Sequence, residues 1–169
     1  MLELVEDEAQ AVRVVKLALE VDLRLGARLA GAVKSKWQEK TVGLVVEKEL
    51  PLLLKNELLG VTRSEFAFTT LQQGLNHKDT EVRASAVSAL GQINSEKVIL
   101  EQLKLLEDSN PDIYLSAAQG LGYWGCEAAI PGLRQKLADI DFRKRQSYSE
   151  KDFLIWMRLV YVLVQEGRR

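Results

Sequence analysis

One histidine and one cysteine are all that this chain of 169 residues offers for imidazole or thiol chemistry. His77 stands in the polar run Asn76-His77-Lys78-Asp79, between two helix-forming stretches, a setting that suits a solvent-exposed turn residue better than a general base. Cys126 follows Gly125 at a boundary between two such stretches and precedes Glu127. A reactive thiolate needs positive charge beside it, so this cysteine reads as a small residue between helices. Metal centres in helical repeats require repeated histidine and carboxylate ligands, which a single histidine cannot supply. No Ser/His/Asp or Cys/His set can be assembled. The acidic run Glu6, Asp7 and Glu8 opens a helix, where carboxylates favour the helix dipole. The residues therefore predict no enzyme, no metal and no cofactor.

Binding chemistry has more support. The segment 142–151 carries Arg143, Lys144, Arg145 and Lys151 against Glu150. Such a charge run usually solvates a loop, and its functional alternative is docking of an acidic protein or a phosphate backbone. Lys and Arg number 23 against 24 Asp and Glu, for a net charge of −1, so the basic excess of a dedicated nucleic-acid binder is missing. From Phe153 to Val164, eleven of twelve residues are apolar, with Arg158 the exception. That run falls short of the ~20 residues that span a bilayer, and a helix apolar all round must be covered by something. Phe153, Trp156, Tyr161 and Val164 would form an apolar terminal interface. It would serve a homodimer, a continuing stack, or a cap folded on its neighbour.

These residues need elements to position them, and the elements repeat. Leu59-Gly60, Leu90-Gly91 and Leu121-Gly122 stand 31 residues apart. Glu65, Glu96 and Glu127 keep the same period, as do Leu75, Leu106 and Leu137, and Phe68, Ile99 and Ile130. Val82 pairs with Ile113 and Ala86 with Ala117. A period near thirty means stacked helical hairpins, none of which can bury its apolar face alone.

The clearest unit spans 65–94. It has a first helix from about Glu65 to Leu75, a turn at 76–79, and a second helix from about Thr80 to Ile93. That second helix places Val82, Ala86, Ala89, Leu90 and Ile93 on one face. The unit at 96–125 repeats the plan, with Asp108-Ser109-Asn110-Pro111 as its turn and Ile113, Ala117, Gly120, Leu121 and Trp124 inward. A third copy has helices near 34–47 and 50–59. Before it, one or two helices over 7–32 use Val12, Val15, Leu19, Leu23, Leu25 and Leu29 and form an N-terminal cap or a divergent repeat. After Glu127 a fourth copy carries an insertion of about eleven residues, the basic segment 142–151. On the opposite arc of the second helices, Glu81, Ser85, Ser88 and Gln92 are joined by Asp112, Ser116, Gln119 and Tyr123. Together they form a mildly acidic arc, either an idle solvated surface or a groove for a peptide or helix anchored by an at least partly exposed Tyr123.

The segments Asp79-x-x-Val82-Arg83-Ala84-x-Ala86-x-x-Ala89-Leu90-Gly91 and Glu127-Ala-Ala-Ile-Pro-Gly-Leu resemble the HEAT-like repeats of the phycobilin lyase type. The resemblance covers about 64–141 well and 34–63 loosely. Tyr114 stands where Arg83 does, so a continuous Asp–Arg ladder is broken. The stretch from Leu17 to Val33 resembles the segment that joins the NTPase module to the HEAT-like tail in cyanobacterial NACHT-type signalling proteins. That resemblance implies a fragment serving as a sensing or scaffolding tail. No Gly-x-x-x-x-Gly-Lys-[Ser/Thr] motif occurs in the chain.

The fold expected is all-α. It is a right-handed α–α superhelix of about four hairpins (34–63, 64–94, 95–125 and 126–169) behind a cap at 1–33. The function expected is a non-enzymatic protein-interaction scaffold or sensing tail. The lyase-type resemblance implies, as an alternative, a bilin lyase subunit or chaperone. The single cysteine fits a reducing cytoplasm, and the acidic start through Glu8 lacks the basic and apolar pattern of a secretory signal.

Overall fold

A computed structural model of the chain describes residues 7–124 and 126–139. The basic segment with Arg143, Lys144, Arg145 and Lys151, and the apolar run with Phe153, Trp156, Tyr161 and Val164, lie outside the described residues. Among those described there is no strand. The helices form two compact units, Met1–Ser95 and Glu96–Arg169.

In the first unit α1 (Glu8–Val21) and α2 (Leu23–Ala32) meet at one residue, Asp22. Its N–H donates to the Ala18 carbonyl at 2.8 Å and closes α1, while its carboxylate accepts from Leu25 N at 2.9 Å and opens α2. The sequence leaves one or two helices open over 7–32, and this joint makes two. Next come α3 (Ser35–Val46), α4 (Leu52–Thr62), a 3₁₀ turn (Glu65–Ala67), α5 (Phe68–Leu75) and α6 (Thr80–Leu90). The second helices α2, α4 and α6 pack in succession. On the other side α1 lies on α3, and α3 on the 3₁₀ turn that opens the next hairpin. That is α–α solenoid stacking.

The periodic leucines are its core, since Leu59 and Leu90 are fully buried and Val82, Ala86, Ala89 and Ile93 are buried beside them. Helix α6 stops at Leu90, three residues before the end expected from the pattern, and the first helix of that hairpin begins as a 3₁₀ turn. Helix α4 runs past its Leu-Gly pair to Thr62, so Gly60 is a packing residue inside the helix. A Cβ there would sit 2.9 Å from the Ala89 Cα on α6. Helix α2 corrects the sequence reading most. Its inward residues are Gly26, Ala27 and Ala30, whereas Leu25 is exposed and Leu23 and Leu29 are half-buried. Small residues win that face because the backbones approach closely, and a Cβ on Gly26 would overlap the Leu19 side chain at 2.5 Å.

In the second unit α7 (Glu96–Leu105) and α8 (Pro111–Tyr123) form a hairpin, followed by a 3₁₀ turn (Glu127–Ala129) and α9 (Ile130–Asp139). Asn110 caps α8 by accepting from Asp112 N at 2.8 Å, and Pro111 takes the first turn, where its missing N–H leaves no bond unmade. Ile113, Ala117 and Leu121 are buried as the period requires, with Leu106 and Leu133 completing this core. Trp124, expected inside by analogy with Ile93, is half-buried. It forms the C-cap of α8, with its ring edge-to-face on Tyr123 at a centroid distance of 4.8 Å.

Candidate interaction surface

The turn chemistry around His77 is structural. His77 Nδ1 accepts from Asp79 N at 3.1 Å, and Asp79 caps α6 by accepting from Glu81 N at 2.9 Å. Arg83 folds back on the same turn, donating to the carbonyls of His77 and Lys78 at 2.8 and 3.1 Å and to Thr80 Oγ1 at 2.8 Å. Arg83 thus staples its own hairpin. Cys126 is a half-buried free thiol whose N–H donates to the Leu121 carbonyl at 3.0 Å. Among the described residues, no three His, Cys, Asp or Glu gather to hold a metal, and no helix is long and apolar enough to cross a membrane.

The residues expected to line a groove fall in two rows, one in each unit. On α6, Glu81 and Ser88 are exposed. Ser85 is turned into the α4–α6 contact instead. Its hydroxyl accepts from Asn56 Nδ2 at 2.8 Å and donates to the Val82 carbonyl at 2.9 Å. Gln92 is half-buried just beyond the helix. On α8, Asp112 and Gln119 are exposed, Ser116 gives its hydroxyl proton to the Asp112 carbonyl at 2.7 Å, and Tyr123 is 58% exposed. Each row thus contributes exposed carboxylate and amide or hydroxyl groups, and the second adds a large aromatic face.

Several residues that hold or border this surface escape sequence reasoning. Asn56 is buried among the leucines of α4 and bonds both Ser85 and the Val82 carbonyl. Gln38 donates to the carbonyls of Gly31 and Val33 and accepts from Ser64 Oγ at 2.7 Å, knotting α3 to the ends of α2 and α4. A cleft of about 400 Å³ opens beside this knot, lined by Arg28, Gly31, Thr62, Arg63 and Gln92 among others. The available signal was thin: an asparagine inside the run Leu52-Leu53-Leu54-Lys55-Asn56-Glu57-Leu58-Leu59, and an arginine just past a helix end.

Stacked antiparallel helix pairs with a periodic leucine core, and polar turns closed by aspartate and asparagine caps, define a helical repeat protein of the α–α solenoid class. The HEAT repeat family model matches residues 67–95, the α5–α6 hairpin with the turns around it. With the all-helical fold, that match supports a HEAT-like repeat protein. Comparison with curated proteins and with solved structures finds no match.

Proposed function

We propose that this protein is a non-enzymatic protein-interaction scaffold, with the exposed arc of its second helices as the contact surface and the role of a sensing tail in a signalling protein. The observation that carries the reading is the successive packing of α2, α4 and α6 in the hairpin stack that contains the HEAT repeat at 67–95. HEAT repeats generally mediate protein–protein contacts. A stack tied by Asn56 and Gln38 holds its surface residues in place before a partner arrives, so little ordering is left to oppose binding. The contact residues on this reading are Glu81, Ser88 and Gln92 in the first unit and Asp112, Gln119 and Tyr123 in the second. The basic segment 142–151 and the apolar run 153–164 are further candidate contacts on the strength of their sequence alone.

Affinity capture from extracts of the source cells tests the proposal, using the wild type beside Glu81→Lys with Ser88→Glu, and beside Tyr123→Ala. The expected result is a discrete partner recovered by the wild type and lost from the variants at unchanged thermal stability. A wild-type protein that recovers no partner overturns the scaffold reading. Equal recovery by the variants overturns the assignment of the surface.

A further inference from the structure

Two arginines line the cleft at the ends of α2 and α4, and neither has a carboxylate partner among the described residues. Arg24, one turn before Arg28 on α2, shows the usual arrangement by pairing with Glu57 on α4. One turn beyond Glu57 the chain has Val61, so Arg28 finds no acid across from it. Arg63 is the sole non-glycine residue with positive φ among those described, at φ 53° and ψ 17°. Its backbone does the capping, with its N–H donating to the Gly60 carbonyl at 2.9 Å. A glycine would do that without the left-handed penalty of a side-chain-bearing residue, so the cap does not require the guanidinium.

We propose that this cleft binds a peptide-borne oxyanion, a carboxylate or phosphate taken by the guanidinium groups of Arg28 and Arg63. The proposal rests on the scaffold reading for its partner class and adds the partner's chemistry. Helix C-termini carry partial negative charge that would repel an anion, but three of the carbonyls here are already engaged. Gly31 O accepts from Gln38 Nε2 at 2.9 Å, Leu59 O from Thr62 Oγ1 at 2.6 Å, and Gly60 O from Arg63 N. Among the residues that line the cleft, the charged side chains are Arg28 and Arg63. Gln92, whose Nε2 lies 2.8 Å from where a Gly60 Cβ would be, brings an amide donor to the same wall. A volume near 400 Å³ is at the lower end of the ~300–1,000 Å³ of ligand clefts and takes a side chain or two. A net charge of −1, and the acids Glu57 and Glu81 on the neighbouring helices, favour one oxyanion on a peptide over a nucleic-acid backbone.

The test is a titration of the ¹⁵N-labelled protein followed by amide chemical shifts. The ligands are an Asp/Glu-rich peptide, a phosphoserine peptide, their Gln and Ser counterparts, and a short DNA duplex. Shifts are expected at Gly31, Thr62, Arg63 and Gln92 for one or both anionic peptides, with saturation weakened about tenfold or more by Arg28→Gln with Arg63→Gly. The stronger of the two anionic peptides identifies carboxylate or phosphate as the source. Arg63→Gly relieves the left-handed backbone, so loss of binding with it cannot be put down to misfolding, and Arg63→Lys should retain part of the binding. The proposal is overturned by equal response to the neutral peptides, by shifts only with the duplex, by no shift at all, or by a double variant that binds as the wild type does. Partner capture with the same double variant separates the two readings. A partner retained by it leaves the scaffold standing and removes the cleft, whereas no partner for the wild type removes the scaffold while the titration still decides the cleft.

Discussion

The backbone of Gly31 lies directly on the carbonyl of Thr62, so closely that a Cβ at position 31 would stand 1.7 Å from that oxygen. The approach is closer than those at Gly26, Gly60, Gly74 and Gly132, and it sets the distance between α2 and α4. No rotamer change relieves an overlap with a backbone carbonyl, so the helices must separate. Gly31→Ala should therefore lower stability by about 3 kcal/mol, read from the midpoint of urea unfolding. Gly43, inside α3, has no atom within 4 Å of its would-be Cβ. Gly43→Ala should raise stability by about 0.5–1 kcal/mol through helix propensity, and a lower midpoint would contradict the packing described.

Asn56 and Ser85 form a polar latch between α4 and α6. Removing one partner leaves the other's polar group buried. Asn56→Ala should cost about 1–3 kcal/mol, and Ser85→Ala less. In a double-mutant cycle the pair should show a coupling of about 1 kcal/mol, and additive effects would mean that the bond contributes nothing.

The caps of the two second helices provide a matched comparison. Asp79 and Asn110 each accept the N–H two residues on, at 2.9 and 2.8 Å. Replacing either by alanine should cost about 1 kcal/mol. Hydrogen exchange should then quicken in the first turn of α6 for Asp79→Ala and of α8 for Asn110→Ala. Uniform acceleration throughout would show that the cap is not the cause.

Arg63 is the one described residue at which stability and binding should part. Arg63→Gly removes left-handed strain and should raise the thermal midpoint, by the equivalent of about 0.5–1 kcal/mol. The same change should weaken anionic peptides. A fall in midpoint would mean that the side chain itself holds the end of α4.

Much of the fold was legible because burial follows the period. Leu59, Leu90 and Leu121 share a spacing and are all fully buried, and Asp79 and Asn110 sit where short polar side chains should open helices. The face of α2 was not legible. A hydrophobic pattern selects Leu25, but the contact is decided by how near two backbones come, which Gly26 and Gly31 determine and hydropathy does not record. The cleft was hidden for a related reason. Arg28, Thr62 and Gln92 are distant in sequence and carry no shared motif, and only the stacking of α2, α4 and α6 brings them to one wall. On the groove side, sequence spacing placed Ser85 on the outward arc, while the amide of Asn56, on another helix, draws its hydroxyl into the contact.

Asp22 has one further consequence. Four residues separate α5 from α6 at 76–79, but Asp22 ends one helix and begins the next with nothing between. One residue inserted there would swing α2 by about 100° around its axis and carry Gly26 and Gly31 away from Leu19 and Thr62. Chain length at this joint is therefore frozen. Any probe, tag or engineered loop belongs in the hairpin turns farther along, and natural variants of this protein should differ in length there and not at residue 22.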